Sequence, residues 1–454
     1  MPTAVGPNTK GEENLVFGYD LGDVSNSYKG EPTTNLAYLH NARMDNSYSA
    51  LDLSSYQGQI ASLHPGAIQV FNQSGGNIST YWNTGINVGN SGVDWYDTNH
   101  AYWVYDEVLK KPVVQIIDRN GIWQAKYMGL GATWDDYGMV PGDQYTLSWL
   151  QWNSDGVKRP NVGVYWNSGG SNNFWDGTRD AGASAAGKWE RKSTTWTLGN
   201  YDTNTGLTIY MYGMYYSRAT LRIADVQLEK KSHATTFSFN YNRANTEGLL
   251  DLTGDSTIDL SNVSFDSNAQ IVFDETDDRI SMGDTSFTDF GTGNFSVECV
   301  VYIDPSITVS TGHYKGIVTK KGAGAANAGF GIYYNTGYGK FLWSTADGSS
   351  AVERFTSNTW SSLVGTYIHV VMVRDSSATN NGHFYINGVY ESITSGGTLM
   401  DVDNDYNLVI GASSTLFVNY FLNGEVPIAK IYNRALTASE VKSNFNAIKG
   451  RFNI

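Results

Sequence analysis

Alternation restricts the fold of this chain more than any other feature of its sequence. In Asn294-Phe-Ser-Val-Glu-Cys-Val-Val-Tyr-Ile303, the residues Phe295, Val297, Cys299, Val301 and Ile303 fall at every second position. A period of two sets them on one face of a β-strand, whereas a helix would scatter them around its axis. The same spacing returns in Tyr145-Thr-Leu-Ser-Trp-Leu-Gln-Trp152, where both faces carry aromatics, and this predicts a strand covered on both sides. Ile368-His-Val-Val-Met-Val-Arg374 reads as a further core strand. His383-Phe-Tyr-Ile-Asn-Gly-Val-Tyr-Glu391 reads as a hairpin, because Asn387-Gly388 supplies the positive φ angles of a type I′ turn. Between Ile223 and Val226 the apolar phase slips by one, which predicts a bulge. The period changes only near the end. Thr437-Ala-Ser-Glu440 is a capping box, Val441, Phe445 and Ile448 follow at helical spacing, and Gly450 stands as the expected stop. The predicted class is all-β: two jelly-roll or β-sandwich domains in tandem, an extended N-terminal arm and one short C-terminal helix.

Composition supports that class and bounds the partners. With 454 residues the chain exceeds one compact core, and 49 glycines with only 16% charged residues suit short strands joined by polar turns. The expected division is an arm at 1–40, a first jelly roll at 41–238 and a second sandwich at 239–454, with the joint inside Lys230–Glu247. A formal net charge of -14 disfavours binding to nucleic acid, whose affinity comes largely from basic side chains on phosphates. The single cysteine, Cys299, excludes an intrachain disulfide framework and reads as a buried thiol. No apolar run reaches bilayer-spanning length, so membrane insertion is not expected. The N-terminus has no basic region followed by an apolar one, so the expectation is a product made in a reducing cytoplasm without a signal peptide.

From 248 to 452 an ordered set of segments resembles a known family. The set is Gly248-Leu-Leu-Asp-Leu-Thr-Gly254, Ile271-Val-Phe-Asp-Glu-Thr-Asp-Asp-Arg-Ile280, Asn294-Phe-Ser-Val-Glu298, Ile386-Asn-Gly-Val389, Leu408-Val-Ile-Gly411 and Ile431-Tyr-Asn-Arg-Ala-Leu-Thr-Ala-Ser-Glu440. It resembles the concanavalin A-like, laminin G-like jelly roll. Its closing Ile431–Leu436 and Asn444–Phe452 resemble the version found in tailed-phage structural proteins. Ala224-Asp-Val-Gln-Leu-Glu-Lys-Lys-Ser-His-Ala-Thr-Thr-Phe237 is similar to the last strand of carbohydrate-binding-module-like jelly rolls in phage fibre proteins, and Tyr19–Gly30 to the lead-in of such chains. The resemblance implies a virion structural protein of the fibre, decoration or adhesin type.

Catalytic patterns are sparse. Glu275 and Asp277 stand at alternate positions, as the acids of laminarinase-type members of this class do, but Arg279-Ile280 replaces the third acid. Turn carboxylates are the plainer reading, and no catalytic residue is assigned. No cofactor is required. Calcium is the alternative, with Asp274, Asp277, Asp401 and Asp403 as candidate oxygen ligands on separate loops, although Asp401-Val-Asp-Asn-Asp405 lacks the glycine and distal glutamate of an EF-hand. The seven histidines form no zinc motif, and His369 reads as structural. The Gly-rich Lys321–Gly331 lacks phosphate-loop spacing and reads as a loop between strands. Glycan binding would use exposed aromatics beside amides and acids. Trp134 and Asp135, Trp166, and Asn172, Asn173, Trp175 and Asp176 stand in polar, loop-like stretches and are the candidates, while Trp103, Trp149 and Trp360 read as core.

These readings converge on a non-enzymatic subunit exposed on the virion surface and binding glycans or the host surface. It would dock to capsid, neck or tail proteins through the N-terminal arm and assemble with copies of itself. The alternatives are a polysaccharide-degrading hydrolase or depolymerase, and a purely structural subunit without glycan binding.

Overall fold

The alternating stretch around Cys299 forms the strand Phe295–Ile303, and its five apolar side chains are all fully buried. In this computed structural model the described residues are 13–36, 67–68, 101–117, 125–133, 138–154, 161–168, 172–176, 184–198, 206–212, 220–238, 242–322, 327–378, 380–394 and 397–454, several strands between 67 and 212 by backbone alone. The chain divides into two compact units, residues 1–32 with 244–454, and residues 33–243.

In the first unit an eight-stranded antiparallel sheet runs in the order Ser264–Phe265, Ile271–Asp274, Asn423–Tyr432, Phe295–Ile303, Tyr367–Arg374, Gly382–Ile386, Val389–Glu391, with Leu15–Asp20 also on Asn423–Tyr432. A six-stranded sheet follows Ile280–Ser281, Val409–Ile410, Tyr314–Lys321, Gly329–Asn335, Lys340–Ala346, Ala351–Phe355. One apolar core joins the inner faces: Val297, Cys299, Val370 and Met372 from the first sheet, Phe330, Ile332, Phe341 and Trp343 from the second. Burial drives the Cys299 thiol pKa far above its ordinary range, as expected of a core residue.

The outer face of the eight-stranded sheet is covered by the helix α1, Ala438–Phe452. Val441 packs with Val371, Val373 and Tyr385, and Ile448 with Val300 and Ile428. Full burial of such a side chain contributes about 1.5–3 kcal/mol. The capping box at Thr437 and Glu440 forms as predicted. The stop does not fall at Gly450, which lies inside α1; the chain leaves the helix at Asn453, left-handed at φ 55. Asparagine tolerates that conformation almost as glycine does, and Gly450 has no neighbour to force a break.

Asn387 and Gly388 take φ 51 and 69, the type I′ turn expected between Ile386 and Val389. The segment read as a docking arm carries a strand. Leu15–Asp20 pairs with Asn423–Tyr432, Phe17 and Tyr19 enter the core, and Asp20 meets Arg451 at 2.6 Å.

The second unit has a six-stranded sheet, Trp189–Thr197, Gln144–Asn153, Thr220–Glu229, Lys111–Ile117, Ala101–Asp106, Ala67–Ile68, and a four-stranded sheet, Ala125–Thr133, Gly206–Tyr212, Asn161–Ser168, Asn172–Asp176. Tyr145, Leu147 and Trp149 are buried on one face of Gln144–Asn153, and Thr146 and Ser148 on the other, so this strand is covered on both sides. The predicted bulge sits at Ala224–Gln227, with Asp225 at φ 51.

Candidate functional site

The six-stranded sheet of the first unit turns its second face away from the core, and aromatic rings gather there. Phe330, Ile332 and Tyr334 point inward, so alternation sends Gly331 and Tyr333 outward. Ser344 lies opposite Gly331 on one side and Glu353 on the other. Gly331 is required by packing, because a Cβ there would stand 2.8 Å from the Tyr333 ring. After Val409–Ile410 the chain crosses this face. Tyr420 stacks on Tyr314 (centroids 5.9 Å apart, planes 17° apart) and meets Tyr333 and Phe417 edge-on. Tyr338 and Phe355 form a second edge-on pair at 6.0 Å. Phe417 and Tyr338 remain about half exposed, at 52% and 51%.

Polar groups stand among these rings. Burial raises the Glu353 carboxyl pKa, opposed by the Lys321 charge. The Glu353 charge in turn adds to burial in raising Tyr314, Tyr333 and Tyr420, so one carboxylate field reaches all three phenols. Two hydroxyls here, Tyr333 Oη and Ser344 Oγ, are buried without a hydrogen-bond partner among the described residues. The half-exposed Phe417 ring with a carboxylate nearby offers what a sugar ring needs, stacking for its C–H face and hydrogen bonds for its hydroxyls. Sequence reading passed over this surface because its parts are far apart in the chain and none is a tryptophan. The only local signal was Phe417 and Tyr420 in a stretch without strand period.

The acids expected as metal ligands divide. Asp274 and Asp277 come together with Asp278, their ligand atoms within 4.8 Å. The strand ends at Asp274, Glu275 takes φ 66, and the following amides of Thr276 and Asp277 donate to Asp274 Oδ1, so the alternate-position pair lies on a turn rather than on one strand face. Burial, with the Asp274 charge, raises Asp278 to about 6. Glu275 accepts from Lys315 Nζ at 2.6 Å and from Thr308 N; burial would raise its pKa, but these bonds outweigh it and hold the carboxyl low. Asp401 and Asp403 serve a different turn, where Asp403 accepts from Gly291 N and Asp401 from Asp403 N. Close to that turn, buried Lys320 places Nζ among Asp284, Asp289, Thr285 O and Asn404 O, an ammonium in an oxygen cage of the sort a hard cation would take.

In the second unit, Trp134 and Asp135 lie outside the described residues. The other glycan candidates lie on strands, not in loops. Asn161–Ser168 and Asn172–Asp176 pair with Trp166 opposite Phe174, Asn167 opposite Asn173 and Tyr165 opposite Trp175. Their polar composition concealed a hairpin, because backbone pairing is indifferent to whether a strand is apolar.

Residues 274–442 match the family described as the Concanavalin A-like lectin/glucanases superfamily, of laminin G type. The C-terminal sandwich is a concanavalin A-like, laminin G-like domain. Solved structures with a similar fold include the binding domain of Paraclostridial Mosquitocidal Protein 1 (18% identity, TM-score 0.33, covering 44% of this chain and 49% of that one). The botulinum neurotoxin serotype G binding domain is similar at 18% identity and TM-score 0.34, over 44% of this chain and 48% of that one. Trypanosoma rangeli sialidase in complex with the inhibitor DANA is similar at 17% identity and TM-score 0.30, over 43% of this chain and 30% of that one. The match thus spans about half or less of these proteins, and the likeness is one of fold alone. No curated protein matches the chain.

Proposed function

We propose that this protein is a non-catalytic glycan-binding subunit displayed on the surface of a tailed-phage virion. The observation that supports it most is the Tyr314–Phe417–Tyr420 aromatic surface beside Glu353 on a lectin-type sandwich. Each sugar contact on such an open surface is weak, and many copies on a symmetric particle supply the avidity. The hairpin of Asn161–Ser168 and Asn172–Asp176 offers a second surface, in the other unit.

Glu275 is ion-paired to Lys315 and held ionised, which disfavours it as the general acid of a hydrolase pair, a group that must carry its proton near neutral pH. No metal is needed for the binding reading.

A glycan array with the full chain tests the proposal. Binding to at least one glycan is expected, weakened at least tenfold by Tyr420→Ala or Phe417→Ala with the circular dichroism spectrum unchanged. Equal binding by these variants moves the site elsewhere, and Trp175→Ala then tests the second unit. Silence across the array, or absence of the chain from purified particles by mass spectrometry, refutes the corresponding half of the proposal. Reducing-sugar release abolished by Glu275→Gln would replace attachment with hydrolysis.

A further inference from the structure

Two arginines of the laminin G-like domain are buried next to each other without a carboxylate. Arg354 and Arg374 are each 2% exposed, and among the described residues neither has an acidic oxygen at ion-pair distance. Arg354 donates through Nε to Asn380 O at 3.0 Å and lies over the Trp343 ring, 4.9 Å from its centroid. Arg374 donates through Nη2 to Met400 O at 2.6 Å, and its guanidinium carbon is 5.5 Å from the Phe295 ring centroid. Arg374 Nη1 and Trp343 Nε1 are buried with no hydrogen-bond partner among the described residues.

Such an arrangement is costly for the empty protein. Burial, with the neighbouring Arg374 charge acting in the same direction, lowers the Arg354 pKa to about 10. Asp401 and Asp403 oppose burial at Arg374 only from a distance. A buried charge without a partner costs several kcal/mol, and here there are two of like sign in a chain whose net charge is -14. Carboxylates are abundant in the sequence, yet among the described residues none is placed at the pair.

The residues converge on a cleft too narrow to admit a water molecule, walled by Trp343, Arg354, Arg374, Asn381 and Met400. Two unpaired donors at so small a site suit one functional group rather than a sugar ring. Guanidinium N–H groups match the two oxygens of a carboxylate or sulfate, and the indole N–H adds a third donor. We propose that this cleft is an oxyanion-binding site and that it receives the carboxylate or sulfate of an acidic saccharide. The saccharide rests on the glycan-binding reading; the oxyanion does not. Entry of the anion requires the Thr398–Met400 wall, which belongs to no strand, to move outward and uncover Arg374 Nη1.

Isothermal titration of the full chain with glucuronate, glucose and inorganic sulfate at constant ionic strength tests the site. Glucuronate and sulfate are expected to bind and glucose not to, with Arg354→Met and Arg374→Met each weakening binding at least tenfold. Because each variant removes one of two repelling charges, both should melt at or above the wild-type temperature without ligand. Sulfate binding without glucuronate binding overturns the saccharide source and leaves the oxyanion site standing. No binding of either anion, or variants that melt lower and bind equally well, overturns the site itself.

Discussion

Exchanging Glu298 for glutamine tests whether one buried carboxylate holds α1 on its sheet. Glu298 points away from the sandwich core, under the helix, and is 3% exposed. It accepts from His369 Nε2 at 2.8 Å, Asn444 Nδ2 at 2.9 Å and Tyr432 Oη at 3.1 Å. An ionised carboxylate only accepts, so His369 Nε2 carries its proton. Burial alone would raise the carboxyl pKa, but the His369 bond and charge, with Lys430 and Asn444, outweigh it and bring it from 4.5 to about 2. At 1.36 kcal/mol per unit, that drop is worth about 3 kcal/mol. A folded-state value below the unfolded one means stability present in full above pH 4.5 and lost as the pH falls toward 2. Glu298→Gln should therefore cost about 3 kcal/mol at pH 7, and its deficit against wild type should close between pH 4.5 and 2. Hydrogen exchange of the 438–452 peptide reads this directly, because two units make a single unfolding midpoint hard to assign. Exchange about a hundredfold faster in the variant at pH 7 is expected. Equal protection at pH 7, or the same deficit at pH 3 as at pH 7, would refute the electrostatic account and leave only packing.

Thr437→Ala removes the helix cap and should cost about 1 kcal/mol, seen as faster exchange confined to the first turn of α1. Gly329→Ala should be far worse, beyond ~2 kcal/mol by chemical denaturation, because φ is +126 and the new Cβ would lie 1.9 Å from Lys320 O. Asp278 is raised to about 6 by burial and the Asp274 charge, so keeping it ionised destabilises the fold increasingly as pH rises from 3.8 through 6; Asp278→Asn should raise the melting temperature at pH 7 and not at pH 4. Removing divalent metal with a chelator should leave the melting temperature unchanged, since Lys320 supplies the cation among Asp284, Asp289 and Asn404 O; a rise on adding millimolar calcium that persists in Asp278→Asn, where the Asp274–Asp277–Asp278 cluster is broken, would contradict this.

The strands of the sandwich were legible because each faces one apolar layer, and a side-chain period of two records that directly: Phe295, Val297, Cys299, Val301 and Ile303 entered the core as a set. The type I′ turn, the bulge and the capping box were legible for a related reason, since each is a local demand met by neighbouring residues. Leu15–Asp20 was harder to place. Its pairing with Asn423–Tyr432 joins residues some four hundred positions apart, and nothing in a short segment names a partner that distant. Gly450 misled for the opposite reason, a strong local habit overridden where Asn453 could end the helix instead.

The two proposed sites were illegible on the same physical grounds. Tyr314, Tyr333 and Glu353 come from three strands and Tyr420 from a crossing loop, so the first three read singly as the polar or filler positions of their own strands and the fourth has no strand period to place it. Arg354 and Arg374 look in sequence like the charged ends of strands facing water. The sandwich instead closes over both, because their flanking residues are fixed by the ladders Leu342–Phe355 and Val370–Ile386. A fold can thus force a charge inside without local sequence announcing it, and a charge held inside without a partner is a better pointer to a ligand than any exposed acid on a turn. The turn acids here already have their amides, whereas Arg374 Nη1 and Trp343 Nε1 have no hydrogen-bond partner among the described residues.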